Sequence, residues 1–510
     1  MSAYNNRHCR MMKSEYVARQ LALGSGIALT GRFLGRILSA AGDIAAARIL
    51  GPAVFGVYGV GWTIFRLVEL VAPLGFDVGV LRFGAQHVRD GGTRFQSVVR
   101  QTILAPAGFG LLIGAACYGF APWLAVQLFH KPDLIFVLRF LVIAFPCAAL
   151  LPAIGSALRL TAIMKYAVIV QDLGQPLVAL LLLLLFYAFS MRLTGVLLSD
   201  VLSYAICVGL GLYFLGRIFP RVFQRNPAGG TFSRELTTFS LESSLVAIFS
   251  TWIFWADRLI VAYYRSAQET GVYQAASQLS VVFAVVLSGF NRIAIPMFAN
   301  LNQAGDIPAV GQVFRLSTKW GLYLSVPILL VLLISPGEVI SLLYGVSYKG
   351  GALVLGILVV GQLFNLITGP VGPLLMVTGH QRLVLGLSMA ALILNGGLLY
   401  GLVPAFGTVG ASVATSASLV LFFGACLVAA RIRLRVWPYD RHILKGLAAA
   451  LVTAILLVLI KQALWRQPPV LLVAVQATVA AGAFGALLYL MKLDDEDKML
   501  IKTVCRPNGF

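Results

Sequence analysis

Apolar segments recur along almost the whole chain, from near Ser25 to Leu490, and each is 20 or more residues long. An α-helix of about 20 residues crosses roughly 30 Å of hydrocarbon, because it rises about 1.5 Å per residue. Strands of an outer-membrane barrel would instead give alternating segments of about ten residues. The pattern predicts fourteen membrane-spanning helices, at 25–48, 52–76, 102–126, 134–158, 166–188, 194–216, 238–262, 272–299, 319–343, 352–377, 383–403, 408–430, 444–464 and 469–491.

The composition agrees with a membrane location. Of the 510 residues, 59% are hydrophobic and only 11% are charged. A soluble protein keeps roughly a quarter of its residues charged, since it must cover its surface with groups that water solvates. We therefore expect an all-α polytopic membrane protein.

The net charge is explained by membrane topology. The formal +20 comes from 39 Lys and Arg against 19 Asp and Glu, which in a soluble protein would suggest nucleic acid as a partner. Lys and Arg in short loops stay on the cytoplasmic side, and with the N-terminus inside, 26 cations fall in cytoplasmic segments and seven outside. The count predicts that both termini are cytoplasmic, gives no support for nucleic acid as a partner, and leaves six arginines inside spans.

A sequence motif occurs twice, at an offset of about 215 residues. Asp43 near the end of span 1 is followed by Gly56-Val-Tyr58, and Asp257 near the end of span 7 is followed by Gly271-Val-Tyr273. An even number of spans separates the copies, so both halves have the same orientation. This predicts two six-helix lobes in parallel repeat plus two C-terminal helices. The expected divisions are a tail (1–24), an N-lobe (25–216), a linker (217–237), a C-lobe (238–430), spans 13–14 with their preceding loop (431–491) and a second tail (492–510).

Neither a catalytic nor a metal site is apparent. The six cysteines contain no CxxC pair, and the five histidines, all in loops or tails, form no ligand pattern. We expect no cofactor. A membrane-bound polymerase or ligase acting on lipid-linked sugars would need acid/base residues on substantial outer loops, whereas the predicted outer loops are short and hold three acids, Asp133, Glu269 and Glu338. An enzyme is therefore the disfavoured alternative.

Several short stretches resemble a known family. Arg48-Ile-Leu-Gly-Pro-Ala-Val-Phe-Gly56 and the following Leu74-Gly to Arg82 are similar to the "R-x-LG-P-x-x-(F/Y)-G" and "lGl…alvR" patterns of bacterial polysaccharide-biosynthesis flippases. These are the O-antigen and exopolysaccharide exporters of the multidrug/oligosaccharidyl-lipid/polysaccharide superfamily. The Asp257-Arg258 stretch resembles the same family's seventh-helix signature, and the resemblance covers about residues 20–435.

The resemblance implies a function at the inner membrane. It implies a multi-pass flippase that moves undecaprenyl-diphosphate-linked oligosaccharide repeat units to the periplasmic leaflet by opening two lobes alternately. The expected partners are that lipid-linked substrate, membrane lipids and the polysaccharide polymerase machinery. The alternatives within the superfamily are a multidrug exporter and a peptidoglycan-precursor exporter.

The charges inside spans are the candidate site residues. A charge at the bilayer centre costs about 2.5–3.5 kcal/mol on insertion scales, so each should face protein or water. Arg32, Arg36 and Asp43 lie on one stripe of span 1, and Arg66 can pair with Glu69 at i,i+3. Arginine binds phosphate oxygens bidentately, which suits a diphosphate. We expect the substrate to be bound in an inter-lobe cavity by Arg32, Arg36, Arg66, Arg139 and Arg292.

Asp43 and Asp257 are the candidates for ion coupling, because they occupy equivalent places in the repeat. The alternative for all these charges is that they only pair across helices or extend toward the membrane surface. The predicted spans contain six arginines and seven acids, so their net charge is −1. Attraction of an anionic lipid therefore requires that the arginines be separated locally from the acids.

Overall fold

The fold is described from a computed structural model, which covers residues 2–87, 93–160, 165–220, 234–252, 255–282, 284–440 and 443–491. Side chains are described from residue 30 onward within these ranges, apart from positions 86–87, 93, 242–243, 245–247, 249–252, 284–285, 288 and 292–293. The described residues contain helices and turns and no β-strand. The all-α fold class is thereby confirmed.

The chain divides into two compact units, Met1–Gln274 and Ala275–Phe510. The first contains α1 (Ser2–Val71), α2 (Phe76–His87), α3 (Thr93–Pro122), α4 (Leu134–Leu141), α5 (Phe145–Arg159), α6 (Lys165–Ala167), α7 (Gly174–Ala188), α8 (Leu193–Ile218), α9 (Arg234–Trp252), α10 (Ala256–Tyr264) and the first half of α11 (Ala267–Ser280). The second contains the rest of α11, α12 (Ala284–Gln303), α13 (Ile307–Ile334), α14 (Pro336–Tyr344), α15 (Ala352–Thr368), α16 (Val371–Val377), α17 (Gln381–Leu434), α18 (Ile443–Ala463) and α19 (Pro469–Leu490). The lobe boundaries expected from the sequence stay predictions.

Within the described residues, nine helical stretches are long and apolar enough to cross a membrane. They coincide with ten of the predicted spans, because α17 runs through spans 11 and 12. The other four predicted spans fall on α1 and on α9 to α12. The architecture is thus consistent with fourteen spans.

Two very long helices are folded back on themselves. Arg36 and Arg66 would lie about 45 Å apart in a straight helix, yet they interact electrostatically. The helix reverses at Gly51, whose φ of 71° is outside the helical range and which precedes Pro52. In α17 the break lies at Gly407, with φ 62°, and Ser418 donates a hydrogen bond to Asn395 across it. Each long helix therefore consists of two arms, which lie at the positions of two predicted spans.

The helices of the N-terminal unit pack around an aromatic face of α1. Phe55, Tyr58, Trp62 and Phe65 follow helical spacing and bury their side chains. The Trp62 and Phe65 rings stack with centroids 5.0 Å apart, and Phe65 meets Tyr204 of α8 edge-on at 5.4 Å. This face holds α1 against α8, the two helices that contribute most of the buried polar groups described below.

Lys131 joins the loop before α4 to the end of α10. Its ammonium donates to the carbonyl oxygen of Ala262, in the last turn of that helix, and at 2.9 Å to that of Arg265, which directly follows it. Burial lowers the pKa of Lys131, and the carbonyl acceptors at a helix C-terminus favour its charged form. The contact fixes α10 relative to α4.

In the C-terminal unit, α18 and α19 pack on α13. Gly446 lies against the ring of Tyr323, which also meets Phe484 edge-on at 6.1 Å. Lys461 at the end of α18 donates to Glu338, 3.1 Å away, and to the Ile334 carbonyl at 2.7 Å. The last two spans are therefore anchored to this unit.

Candidate functional site

Polar and charged side chains collect inside the N-terminal unit in two groups. The first, here called the basic cluster, consists of Arg32, Arg36, Arg159, Gln171 and Asp172. The second, the acidic cluster, consists of Asp43, Arg66, Glu69, Asp200, Asp257 and Arg258 with the tyrosines Tyr58, Tyr204 and Tyr273. Most of these groups lie on predicted spans, where each charge needs a partner or water.

The basic cluster is arranged around one carboxylate. Arg32 Nε lies 2.7 Å from Asp172 Oδ1, and Arg159 Nη2 lies 3.7 Å from Asp172 Oδ2. Arg159 also donates to Gln171 Oε1 at 2.8 Å. Arg36, one turn from Arg32, is exposed and experiences repulsion from Arg32 and from Arg66. Asp77 interacts electrostatically with Arg159 from the edge of this cluster.

Glycines bring these elements into contact. Gly31 and Gly35 of α1 face the π-helical segment Val168–Asp172, and a Cβ on Gly35 would lie 1.9 Å from the Asp172 carbonyl oxygen. A Cβ on Gly155 would lie 2.2 Å from Gln171 Oε1. Spans 1, 4 and 5 can therefore approach closely enough to bring their charges together.

In the acidic cluster, α1 and α8 exchange tyrosine hydrogen bonds. Tyr58 of α1 donates to Asp200 Oδ2 of α8 at 2.9 Å, and Tyr204 of α8 donates to Glu69 Oε1 of α1 at 2.9 Å. Arg66 donates to Glu69 Oε2 at 2.7 Å, so the i,i+3 pair predicted from the sequence is confirmed.

The two repeat-equivalent acids meet in the same cluster. Asp257 is buried, accepts from the Tyr273 hydroxyl at 2.6 Å, and precedes Arg258. Asp43 interacts electrostatically with both Arg66 and Arg258. The cluster holds four carboxylates and two guanidiniums, so it has a surplus of negative charge.

Positive and negative charges are therefore unevenly divided between the two clusters, with Arg66 and Arg258 lying among the acids. The basic cluster has three guanidiniums and one carboxylate, Asp172, whereas the surplus acids lie in the acidic cluster. A local separation of this kind is what the near-neutral total of the spans requires for anion binding.

Two predicted substrate residues do not join these clusters in the described structure. Arg139 is exposed and its guanidinium lies 4.9 Å from the ring centroid of Tyr118. The side chain of Arg292 lies outside the described residues. Their proposed roles stay predictions.

Sequence reasoning missed several members of the clusters. Arg159 falls directly after predicted span 4 and Asp200 within predicted span 6, and neither is among the candidates named from the sequence. Tyr58 and Tyr273 were noticed only as repeat markers. The motif itself contains both Tyr273 and its acceptor Asp257, whereas the acceptor of Tyr58, Asp200, lies outside the motif.

The two copies of the repeated motif contact each other. A Cβ on Gly56 would lie 1.8 Å from the Ala267 carbonyl oxygen, and one on Gly271 would lie 2.0 Å from that of Pro52. Each glycine thus faces the carbonyl that lies four residues before the other glycine. The same offset of 215 residues separates the two glycines and the two carbonyl groups that they face.

Comparison with known families identifies the chain. The family described as "Polysaccharide biosynthesis protein" matches residues 21–302, more than half of the sequence. The chain belongs to this polysaccharide biosynthesis family. The resemblance seen in the sequence motifs is confirmed, and the MatE family also matches residues 243–400.

Relatives of the family support the assignment. A Shigella flexneri protein named "Putative O-antigen transporter" is 21% identical over 400 residues, which cover 74% of this chain and 89% of that protein. The solved structure "Lipid II flippase MurJ, inward closed conformation" is similar with a TM-score of 0.72 at 12% identity, covering 92% of this chain and 100% of its own. The solved structure of an inward-facing multidrug resistance MATE family transporter has a TM-score of 0.65 at 14% identity, covering 78% of this chain and 94% of its own. These structures share the fold.

The chemistry available to this family member follows from the two clusters. Guanidiniums of the basic cluster can hold phosphate oxygens. Carboxylates that accept hydrogen bonds from tyrosine hydroxyls can bind a proton or a cation that prefers oxygen ligands. Among the described residues, no group of three or more His, Cys, Asp or Glu has the arrangement of a metal site.

Proposed function

We propose that this protein is a flippase for undecaprenyl-diphosphate-linked oligosaccharide repeat units. It moves them from the cytoplasmic to the periplasmic leaflet of the bacterial inner membrane, for the synthesis of a surface or extracellular polysaccharide. The observation that carries the proposal is the series of guanidiniums along α1, Arg32, Arg36 and Arg66, in a member of the polysaccharide biosynthesis family.

The arginine series suits an anionic lipid. A guanidinium in a span is costly unless it has a partner, so residues of this kind mark substrate paths in membrane proteins. Arg36 interacts with both Arg32 and Arg66, so the three guanidiniums follow one another along α1, with Arg32 paired to Asp172 and Arg66 to Glu69. We assign the diphosphate to this series, with Arg139 and Arg292 as further candidates from the sequence.

The acidic cluster is our proposed coupling site. Asp43 and Asp257 share it with Arg66 and Arg258, and entry of a proton or cation would change the charge balance beside the substrate path. Linkage between two sites requires that occupancy of one site alters the free energy of binding at the other. Alternating access of the two predicted lobes would then be driven by ion entry at Asp43 and Asp257.

The proposal makes the protein a transporter and not a polymerase or ligase. The polysaccharide polymerase machinery would consume the translocated units on the outer side, and both termini would lie in the cytoplasm. Neither a cofactor nor a nucleic acid takes part.

A complementation experiment tests the proposal. A strain lacking the gene would receive the wild-type chain, Arg36→Gln, Asp43→Asn, or Arg192→Gln, whose arginine is exposed in a predicted outer loop. We expect the first two variants to lose at least nine-tenths of surface polysaccharide at unchanged membrane levels, and Arg192→Gln to behave as wild type.

The deletion itself separates the alternatives. Loss of polysaccharide with normal viability and drug tolerance supports the proposal, whereas loss of viability indicates a peptidoglycan-precursor exporter and loss of drug tolerance a multidrug exporter. Full export by both Arg36→Gln and Asp43→Asn would contradict the site assignment.

A further inference from the structure

The basic cluster contains an incompletely satisfied carboxylate between two arginines. Asp172 Oδ1 is bonded to Arg32 Nε, but Oδ2 is buried and has no hydrogen bond within the described structure. Arg159 Nη2 lies 3.7 Å from Oδ2, beyond hydrogen-bond length. One carboxylate therefore neutralises two guanidiniums only in part.

The position of this carboxylate is set by an irregular helix. Val168–Asp172 form a π-helical segment, which widens the helix and places Gln171 and Asp172 side by side toward α1 and α5. Segments of this kind are rare and occur often at functional sites. Gly35 and Gly155 supply the space for it, since a Cβ at either would clash with this segment.

Both arginines remain accessible. The side chains of Arg32 and Arg159 are 34% and 23% exposed, while that of Asp172 is 12% exposed. Both arginine side chains are thus more exposed than the carboxylate between them. Because Arg159 directly follows predicted span 4, the group lies at the cytoplasmic end of the spans in the predicted orientation.

We propose that Arg32 and Arg159 form the receiving site for the diphosphate of the lipid carrier, and that Asp172 occupies the place of one phosphate until the carrier binds. The inference rests on the proposed function and extends it to residues outside the predicted set, Arg159 and Asp172. Each guanidinium can donate two parallel hydrogen bonds to the oxygens of one phosphate, so two guanidiniums match the two phosphate groups. The diphosphate displaces the carboxylate and then meets Arg36, the next cation of the series.

The role of Asp172 is to weaken binding enough for onward movement. Transport requires a substrate to leave each site, so an internal anion that competes for the same cations prevents the diphosphate from being trapped. Removing the competitor should strengthen binding and slow transport. Removing one of the two guanidiniums should weaken diphosphate binding.

Direct binding measurements test this assignment. The full chain in nanodiscs of zwitterionic lipid would be titrated with a prenyl diphosphate that carries no sugar, a prenyl monophosphate, and soluble pyrophosphate. The variants are Arg159→Gln, Arg159→Lys, Asp172→Asn, and the control Arg217→Gln, an exposed arginine at the end of α8. Size-exclusion and thermal unfolding profiles identify which variants fold.

We expect prenyl diphosphate and pyrophosphate to compete for one site that prefers diphosphate to monophosphate. Arg159→Gln should weaken prenyl diphosphate binding about ten-fold, as the loss of a charge-assisted hydrogen bond does. Arg159→Lys retains the positive charge but not the paired N–H donors, so it should weaken prenyl diphosphate binding less. This variant also tests the site if Arg159→Gln does not fold. Asp172→Asn should bind more tightly, and Arg217→Gln should be unchanged.

Other results would overturn the assignment. Unchanged prenyl diphosphate binding by both Arg159 variants would do so, as would weaker binding by Asp172→Asn. If phosphatidylglycerol in the nanodiscs competed as well as pyrophosphate for the prenyl diphosphate site, the site would be a general anion site for membrane lipids. Because the titration involves neither sugar nor transport, these failures are distinct from a failure of the flippase proposal, which complementation reports.

Discussion

At the scale of single residues, the acidic cluster is held by tyrosine hydroxyls that donate to carboxylates on other helices. Tyr204 is buried, and its hydroxyl bonds Glu69 while also lying 3.4 Å from Arg66 Nη1. Three groups from two helices are thus joined at one point. The hydroxyl contributes to stability as well as to the position of the charges.

Replacing that hydroxyl should have a measurable cost. We expect Tyr204→Phe to lower the free energy of unfolding by about 0.5–2 kcal/mol, the range found for interhelical hydrogen bonds in membranes. Denaturant titration of the purified protein measures it. Tyr187→Phe is the control, because the Tyr187 side chain is 57% exposed at the end of α7. Equal stability of the two variants would show that the bond contributes little.

The sequence revealed local pairs and concealed distant ones. Arg66 and Glu69 are three positions apart, so helical geometry alone predicts their contact. Arg32 and Asp172 are separated by 140 positions, and nothing in the periodicity of either span indicates which helices will be neighbours. The candidates Arg32, Arg36 and Asp43 could thus be recognised as charges needing partners, but the division into two clusters depends on tertiary packing.

At the scale of helices, glycine determines which elements meet. Gly56 of α1 and Gly271 of α11 allow direct backbone contact between the repeated motifs, in the manner of small residues at membrane helix interfaces. Hydropathy predicted the spans on both sides of Gly51 and Gly407. It could not show the π-helical segment Val168–Asp172, because a wider helix has the same apolar composition.

Matched glycine variants test the close contact between α1 and α11 at the two repeated motifs. Gly56→Ala places a Cβ 1.8 Å from a backbone oxygen, so the helices must separate, and we expect a loss of about 1–3 kcal/mol in stability. Gly42→Ala on the same helix is the control, since its Cβ would have nothing within 4 Å and alanine favours a helix. Thermal unfolding in detergent compares them. A melting temperature for Gly56→Ala as high as that of Gly42→Ala would contradict the tight crossing.

At the scale of the whole chain, the distribution of charge determines where the proposed receiving site faces. If the 26 cations assigned inside are cytoplasmic, Arg159 and Arg32 lie where a newly made lipid-linked sugar is available. The reverse orientation would place the receiving site on the side where the product should leave. Orientation is therefore a condition on the mechanism as well as on the topology.

Cysteine labelling tests the orientation directly. In a chain whose six cysteines are replaced, single cysteines would be introduced at exposed positions: Ser190 and Val346 in predicted outer loops, Gln303 and Arg433 in predicted inner ones. A membrane-impermeant maleimide added to intact cells with a permeable outer membrane should label the first pair. The second pair should react only after the inner membrane is opened, because the polar reagent cannot cross it. Labelling of Gln303→Cys in intact cells would reverse the topology and, with it, the direction in which the basic cluster receives the diphosphate.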